Sequence, residues 1–218
     1  MYNVPHFKEK DESRILQFIK EHPFTLITGA GSDGKPVATQ VPVLIEEKEG
    51  KIFLQGHILR KSDHHKAFQQ QQDVLAIFTI PGSYVSASWY SQPFMGSTWN
   101  YMSVHIRGKI RILTKEELVV FMRKFTLAFE EGNYESPTFY NNLPQQYIDQ
   151  MMPAIEGFEI QSEQIEHIFK LSQNRDETSY LNIINKLEEK GGDASAIAFE
   201  MKKRLKELFP LFESAENS

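Results

Sequence analysis

Met102-Ser-Val-His-Ile-Arg-Gly-Lys-Ile-Arg-Ile-Leu113 alternates apolar and polar residues for most of its length. Val104, Ile106, Gly108, Ile110 and Ile112 share one face, and His105, Arg107, Lys109 and Arg111 share the other. That period of two marks a strand with one side buried. Thr114 to Glu117 follows as a capping box, and the helix it opens sets Leu118, Phe121, Met122, Phe125 and Phe129 on one stripe.

Upstream, Phe24 to Thr28, Val37 to Ile45, Lys51 to His57 and Val74 to Ile80 are short and rich in β-branched or aromatic residues. Gly29 to Gly34 and Glu46 to Gly50 separate them as turns. Val74 to Ile80 is apolar on both faces, as in a strand covered from both sides. Downstream, residues 130 to 144 read as a long loop, and Ile155 to Ile160 and Gln164 to Leu171 as two further strands.

Helices flank this region. Asp11 caps a first one with Ile15, Leu16, Phe18 and Ile19 on its apolar face, and Pro23 stops it. From Ser179 the pattern is helical again: Leu181, Ile184 and Leu187, a Gly191-Gly192 turn, then Ile197, Met201, Leu205 and Leu208. Strands do not alternate with helices, so a Rossmann sheet is not expected. The order predicts a mainly β, α+β architecture: a mostly antiparallel barrel with peripheral helices. The expected division is 1–175 for the barrel and 176–218 for a C-terminal helical appendage.

Composition removes whole classes of chemistry. The 218 residues include no cysteine, which excludes disulfides, thiolate nucleophiles and Cys-ligated metal. With 24 Lys+Arg against 29 Asp+Glu, the net charge of −5 argues against broad coating of nucleic acid. No apolar run approaches the roughly 20 residues of a membrane span. The start, MYNVPHFKEKDES, lacks the basic and apolar regions of a secretion signal, so the expected compartment is the cytoplasm. No phosphate loop, GxSxG elbow, carboxylate pair or metal-spaced histidine pair stands out, and no catalytic residue is named.

Four segments carry candidate chemistry. In Gly56-His-Ile-Leu-Arg60-Lys61-Ser62-Asp63 a strand ends, two cations follow, and Ser62 can cap a helix to about Gln72. Phosphate favours free backbone N–H groups at a helix start beside Arg and Lys, although a solvated basic turn has the same spacing. Ser83 to Tyr90 and Ser97 to Tyr101 concentrate both tryptophans with hydroxyls, as either the wall of a flat polar-edged ring or an aromatic core corner. The third is the basic face from His105 to Arg111, a solvated surface or an anion-facing one. The fourth is Phe169-Lys-Leu-Ser-Gln-Asn-Arg175, either a ligand contact or a loop capping its own strand.

Taken in order, GHILRKSDHH, YVSASWY, STWNYMSVHIRG, IEGFEI and FKLSQNR closely resemble the PaiB-type FMN-binding negative transcriptional regulators. The resemblance runs from MYNVPHFKE into the first C-terminal helix. It implies a split β-barrel of the flavin-reductase and pyridoxamine-phosphate-oxidase type, a homodimer with FMN at the subunit interface. It further implies that Arg60 and Lys61 hold the FMN phosphate, with Ser62 beside them, and that Ser86, Ser88, Trp89, Trp99 and Asn100 line the flavin or the interface. Ala87 stands where the family usually has proline, and Phe169 where it generally has tryptophan. Two alternatives accompany this reading: a flavin-dependent reductase or oxidase in which FMN carries the redox step, and a barrel that has lost its cofactor. DNA is a further partner implied by the regulator family, but the sequence does not show how it would be contacted.

Overall fold

Proline and paired glycine-like turns set the ends of the elements. A computed structural model describes Met1 and residues 3–210. These fall into two compact units: Leu16–Phe78 with His105–Ile165, and Met1–Ile15 with Thr79–Val104 and Glu166 onward.

Helix α1 (Glu12–Glu21) begins where the Asp11 carboxylate accepts from the Ser13 N–H at 2.9 Å, and it ends before Pro23. Strands β1 (Phe24–Ala30) and β2 (Pro36–Pro42) form an antiparallel hairpin with Leu26 opposite Gln40. The stretch Val37 to Ile45 is not one strand. Pro42 has no N–H to continue the ladder, the Val43 N–H turns to the Pro23 carbonyl, and β3 (Leu44–Lys48) starts afresh. The expected turn from Glu46 is also shorter: Glu49 and Gly50, both at positive φ, close a two-residue hairpin into β4 (Lys51–Leu59).

Helix α2 (Asp63–Gln70) is capped by Ser62 as expected. Strand β5 (Asp73–Thr79) buries Val74, Ala76 and Phe78 fully and half-buries Leu75 and Ile77, the two-sided cover its sequence predicts. Strand β6 (Ser83–Val85) pairs antiparallel with the start of β7 (Thr98–Ile112). Helix α3 (Lys115–Phe129) carries the full capping box, with Thr114 and Glu117 each accepting the other's N–H. Of its stripe, Leu118, Phe121 and Met122 are buried, whereas Phe129 lies exposed.

The segment after α3 closes on itself through Asn142, whose amide donates to the Tyr134 and Ser136 carbonyls, and a short α4 (Gln145–Met151) follows Pro144. The two expected late strands are one, β8 (Ile155–Lys170). Residues 161–163, between the two expected strands, continue the one strand, and the Ser162 hydroxyl accepts the Ile52 N–H at 2.9 Å. Asp176 caps α5 (Glu177–Lys190), Gly191 and Gly192 turn at positive φ, and α6 (Asp193–Leu208) packs back on α5.

Among the described residues the strands form an eight-stranded antiparallel sheet in the order β2-β1-β5-β7-β8-β4-β3, with β6 added on β7. In the unit that holds α2 and α3, Leu113, Leu118, Phe121, Met122, Tyr140 and Ile155 make a core cluster. In the other, Tyr180, Ile183, Leu187, Ile197 and Met201 bring the α5–α6 pair together.

Candidate functional site

Burial alternates along β4 until Ile58, and the strand then releases Leu59, Arg60 and Lys61 at its end. Arg60 is two-thirds covered. Its Nε donates to the Ile155 carbonyl at 2.7 Å, and Nη1 lies 2.5 Å from the Glu156 carboxylate. That carboxylate is buried, with 8% of its side chain exposed, and it also accepts from His65 Nε2 at 3.0 Å. His65 Nδ1 in turn accepts the Lys61 N–H at 3.2 Å. Lys61, Arg60, Glu156 and His65 are thus one closed polar assembly around the start of α2.

The Ser62 hydroxyl accepts the His65 N–H at 3.2 Å and donates to the Leu59 carbonyl at 2.9 Å, fixing the turn from strand to helix. To make that turn Lys61 takes φ of 68°, the left-handed region that a residue with a Cβ occupies only at a cost. Lys61, with no ion pair among the described residues, and the partly exposed Arg60 thus directly precede the Ser62 cap at the positive end of α2. This donor set fits a phosphate group. Glu156 and His65 were not singled out by the sequence. Glu156 lies 96 residues from Arg60, and His65 drew notice only as one of two adjacent histidines unsuited to a shared metal.

The other predicted residues lie in the second unit. Ser86 caps a single 3₁₀ turn, Ala87–Trp89: its hydroxyl accepts the Ser88 N–H at 3.2 Å and meets the Ser88 hydroxyl at 2.8 Å. Trp89 is half-buried there. Trp99 and Asn100 are neighbours on β7 and face opposite ways. Trp99 is 56% exposed and packs edge-on against Tyr84 across the strand pair. Asn100 is fully buried, its Oδ1 accepting from the Ser172 hydroxyl at 3.0 Å and its Nδ2 donating to the Met201 sulfur at 3.5 Å. Within one unit the structure brings Arg60, Lys61 and Ser62 together, and within the other it brings Ser86, Ser88 and Trp89 together.

Two of the basic-face residues are neutralised locally. Lys109 pairs with Asp73 at 2.5 Å, and Arg111 pairs with Glu117 at 2.9 Å and Glu159 at 2.8 Å. In FKLSQNR, Gln173 caps its own strand end, donating to the Phe169 carbonyl and accepting the Leu171 N–H. Lys170 and Arg175 reach elsewhere, to Thr98 and to the Tyr90 ring.

Residues 1–164 match the family described as "Putative FMN-binding domain". The chain is 34% identical over 210 residues to the Protease synthase and sporulation protein PAI 2 of Bacillus subtilis, covering 94% of this chain and 99% of that one. Its fold is similar to the flavocytochrome Anf3 of Azotobacter vinelandii (TM-score 0.55, 15% identity, 78% of this chain and 72% of that one). It is also similar to an FAD and heme binding protein of Mycobacterium smegmatis (TM-score 0.50, 14% identity, 74% of this chain and 72% of that one). The antiparallel sheet with its helical pair is a split β-barrel, the fold it shares with these two structures.

Proposed function

The chain belongs to this FMN-binding domain family, and we propose that it holds FMN by gripping the phosphate with Arg60, Lys61 and the Ser62-capped start of α2. The observation that carries this reading is Lys61: a backbone at positive φ sets a lysine with no ion pair among the described residues directly before the Ser62 cap of α2. Glu156 and the Ile155 carbonyl hold the Arg60 guanidinium at the rim of the site, so its remaining N–H edge is oriented before any anion arrives. His65 fixes the Lys61 backbone, and Ser62 fixes the helix start. Bound FMN would supply electron-accepting chemistry, and the chain's own part is to bind and orient it.

Residues 1–175 are then the flavin-binding part, in keeping with the family match over 1–164, and 176–218 a helical appendage, of which 211–218 lie outside the described residues. Ser86, Ser88, Trp89 and Trp99 would serve the flavin or a subunit interface, with Asn100 acting from behind through Ser172. Tyr84, Phe94, Met95 and Trp99 expose apolar surface in one stretch of chain, which supports a homodimer. No described helix is long and apolar enough to cross a membrane. A role in negative regulation is supported by the PaiB resemblance. Lys202 and Lys203 on α6 are paired with Glu188 and Glu200, so this reading does not route DNA contact through that face.

FMN titration of the full chain tests the proposal. The wild type should bind one FMN per subunit. Replacing Arg60 and Lys61 together with Ala should weaken binding by about 3 kcal/mol, roughly a hundredfold, as two charge-assisted contacts disappear. Unchanged affinity in a folded double variant removes these residues from the site. Light scattering should give twice the 25.3 kDa chain mass.

A further inference from the structure

Where β8 ends, two cations stand close together with no acid to balance them. Lys170 Nζ donates to the Thr98 hydroxyl at 2.5 Å and lies 5.9 Å from the centre of the Phe7 ring. Arg175 lies over the Tyr90 ring, its guanidinium carbon 4.3 Å from the centroid. Both side chains are half-buried, and neither forms an ion pair with any described residue. The nearest acid in sequence, Asp176, has its carboxylate committed to the N–H and hydroxyl of Ser179 and to the Ser91 hydroxyl.

An uncompensated pair of like charges is costly in partly desolvated surroundings, and proteins ordinarily place a carboxylate beside it. The strain registers on Lys170, whose ammonium is held below the usual lysine range by burial and then by the Arg175 charge. Donors are in surplus as well. An ammonium carries three N–H bonds and only Thr98 accepts one, while a guanidinium lying over a ring keeps its N–H groups at its free edge. The Tyr90 hydroxyl beneath Arg175 is buried and has no hydrogen-bond partner in the structure. Surplus donors, missing negative charge and an unpartnered hydroxyl converge on one short stretch of the fold.

We propose that Lys170, Arg175 and Thr98 form an anion site that takes the carboxylate or phosphate group of a small molecule. It rests on residues other than the Arg60–Lys61 pair and stands whether or not that pair holds FMN. Arg175 supplies the planar, bidentate half of the grip and Lys170 the point charge, with Thr98 orienting the ammonium.

Inorganic phosphate and acetate, titrated separately into the purified full chain, test this by calorimetry and by tryptophan fluorescence, since Trp89 and Trp99 adjoin Tyr90 and Thr98. Saturable binding of at least one anion is expected, and the tighter of the two identifies the ligand class. Lys170→Gln and Arg175→Gln should each weaken it roughly tenfold or more with unfolding temperature held or raised, because each relieves like-charge repulsion. Because phosphate can also occupy the Arg60–Lys61 pair, the titrations are repeated in the Arg60→Ala/Lys61→Ala background, where the event that moves tryptophan fluorescence should persist. No saturable binding of either anion in that background overturns the proposal. So does binding there that survives both Gln variants.

Discussion

Arg60 and Glu156, 96 positions apart, meet at 2.5 Å where the end of β4 crosses the start of β8. The carboxylate is the more deeply buried partner and serves His65 as well, so it ties the first turn of α2 to the sheet. Glu156→Ala leaves the guanidinium and the imidazole without their shared acceptor. Because Arg60 keeps a third of its side chain in solvent, the cost falls at the low end for a broken buried pair, about 3 kcal/mol. Urea unfolding should show the midpoint falling with the slope unchanged. A loss under about 0.5 kcal/mol would mean the pair is ornamental to the fold.

Lys61 separates stability from function. Its φ of 68° suits glycine, so Lys61→Gly should stabilise the fold by about 0.5–1 kcal/mol once glycine's extra chain entropy is set against the relieved strain. The same change removes the ammonium and should weaken FMN. Lys61→Ala keeps the strain and loses the charge, so it should weaken FMN equally and gain no stability. Equal unfolding temperatures for the Gly and Ala variants would show that the strain is not what it appears from the dihedral.

Much of this architecture is legible in the sequence because burial imposes a period. The Met102 to Leu113 alternation, the Thr114–Glu117 box and the Ser62 cap all sit where local chemistry places them. Gln161 to Glu163 misleads because three polar residues in a row interrupt the apolar pattern, while one of them, Ser162, is buried and bonded to β4. Helix α4 is too short for its apolar period to register. In the proposed phosphate cradle, Arg60, Lys61 and Ser62 are contiguous and therefore visible. Glu156 and His65 are joined to them only by tertiary folding, and no spacing rule connects positions 60, 65 and 156.

At Gly108 β7 runs close against the backbone of β8. A Cβ there would stand 2.2 Å from the Gln161 carbonyl oxygen, a backbone atom that cannot swing away. Gly108→Ala must part the two strands and should cost more than about 3 kcal/mol, enough to abolish soluble expression or cooperative melting. Gly34 meets nothing within 4 Å and differs only in its φ of 77°, so Gly34→Ala should cost about 1 kcal/mol. Reversal of that order in thermal melts would refute the packing account.

His57 supplies the pH dependence. Its ring sits edge-on to Phe125 with centroids 5.5 Å apart, Nδ1 is buried without a partner, and burial holds its pKa below the ordinary 6.5. The unfolded chain therefore binds this proton more readily than the folded one. Stability is complete above about pH 6.5 and declines as pH falls from there toward the folded value, below which the loss levels off. His57→Phe removes the titrating group and keeps an aromatic ring, so the fall in unfolding temperature between pH 7.5 and 5.5 should shrink. Part of the fall should remain, since burial and then Lys8 also depress His167. Glu46 and Glu117, held low by Lys48 and Arg111, lose their contributions only as pH falls below about 4.5 and stay out of this window. A variant with the same pH slope as the wild type would place the acid sensitivity on His167 or elsewhere and leave the buried His57 electrostatically silent.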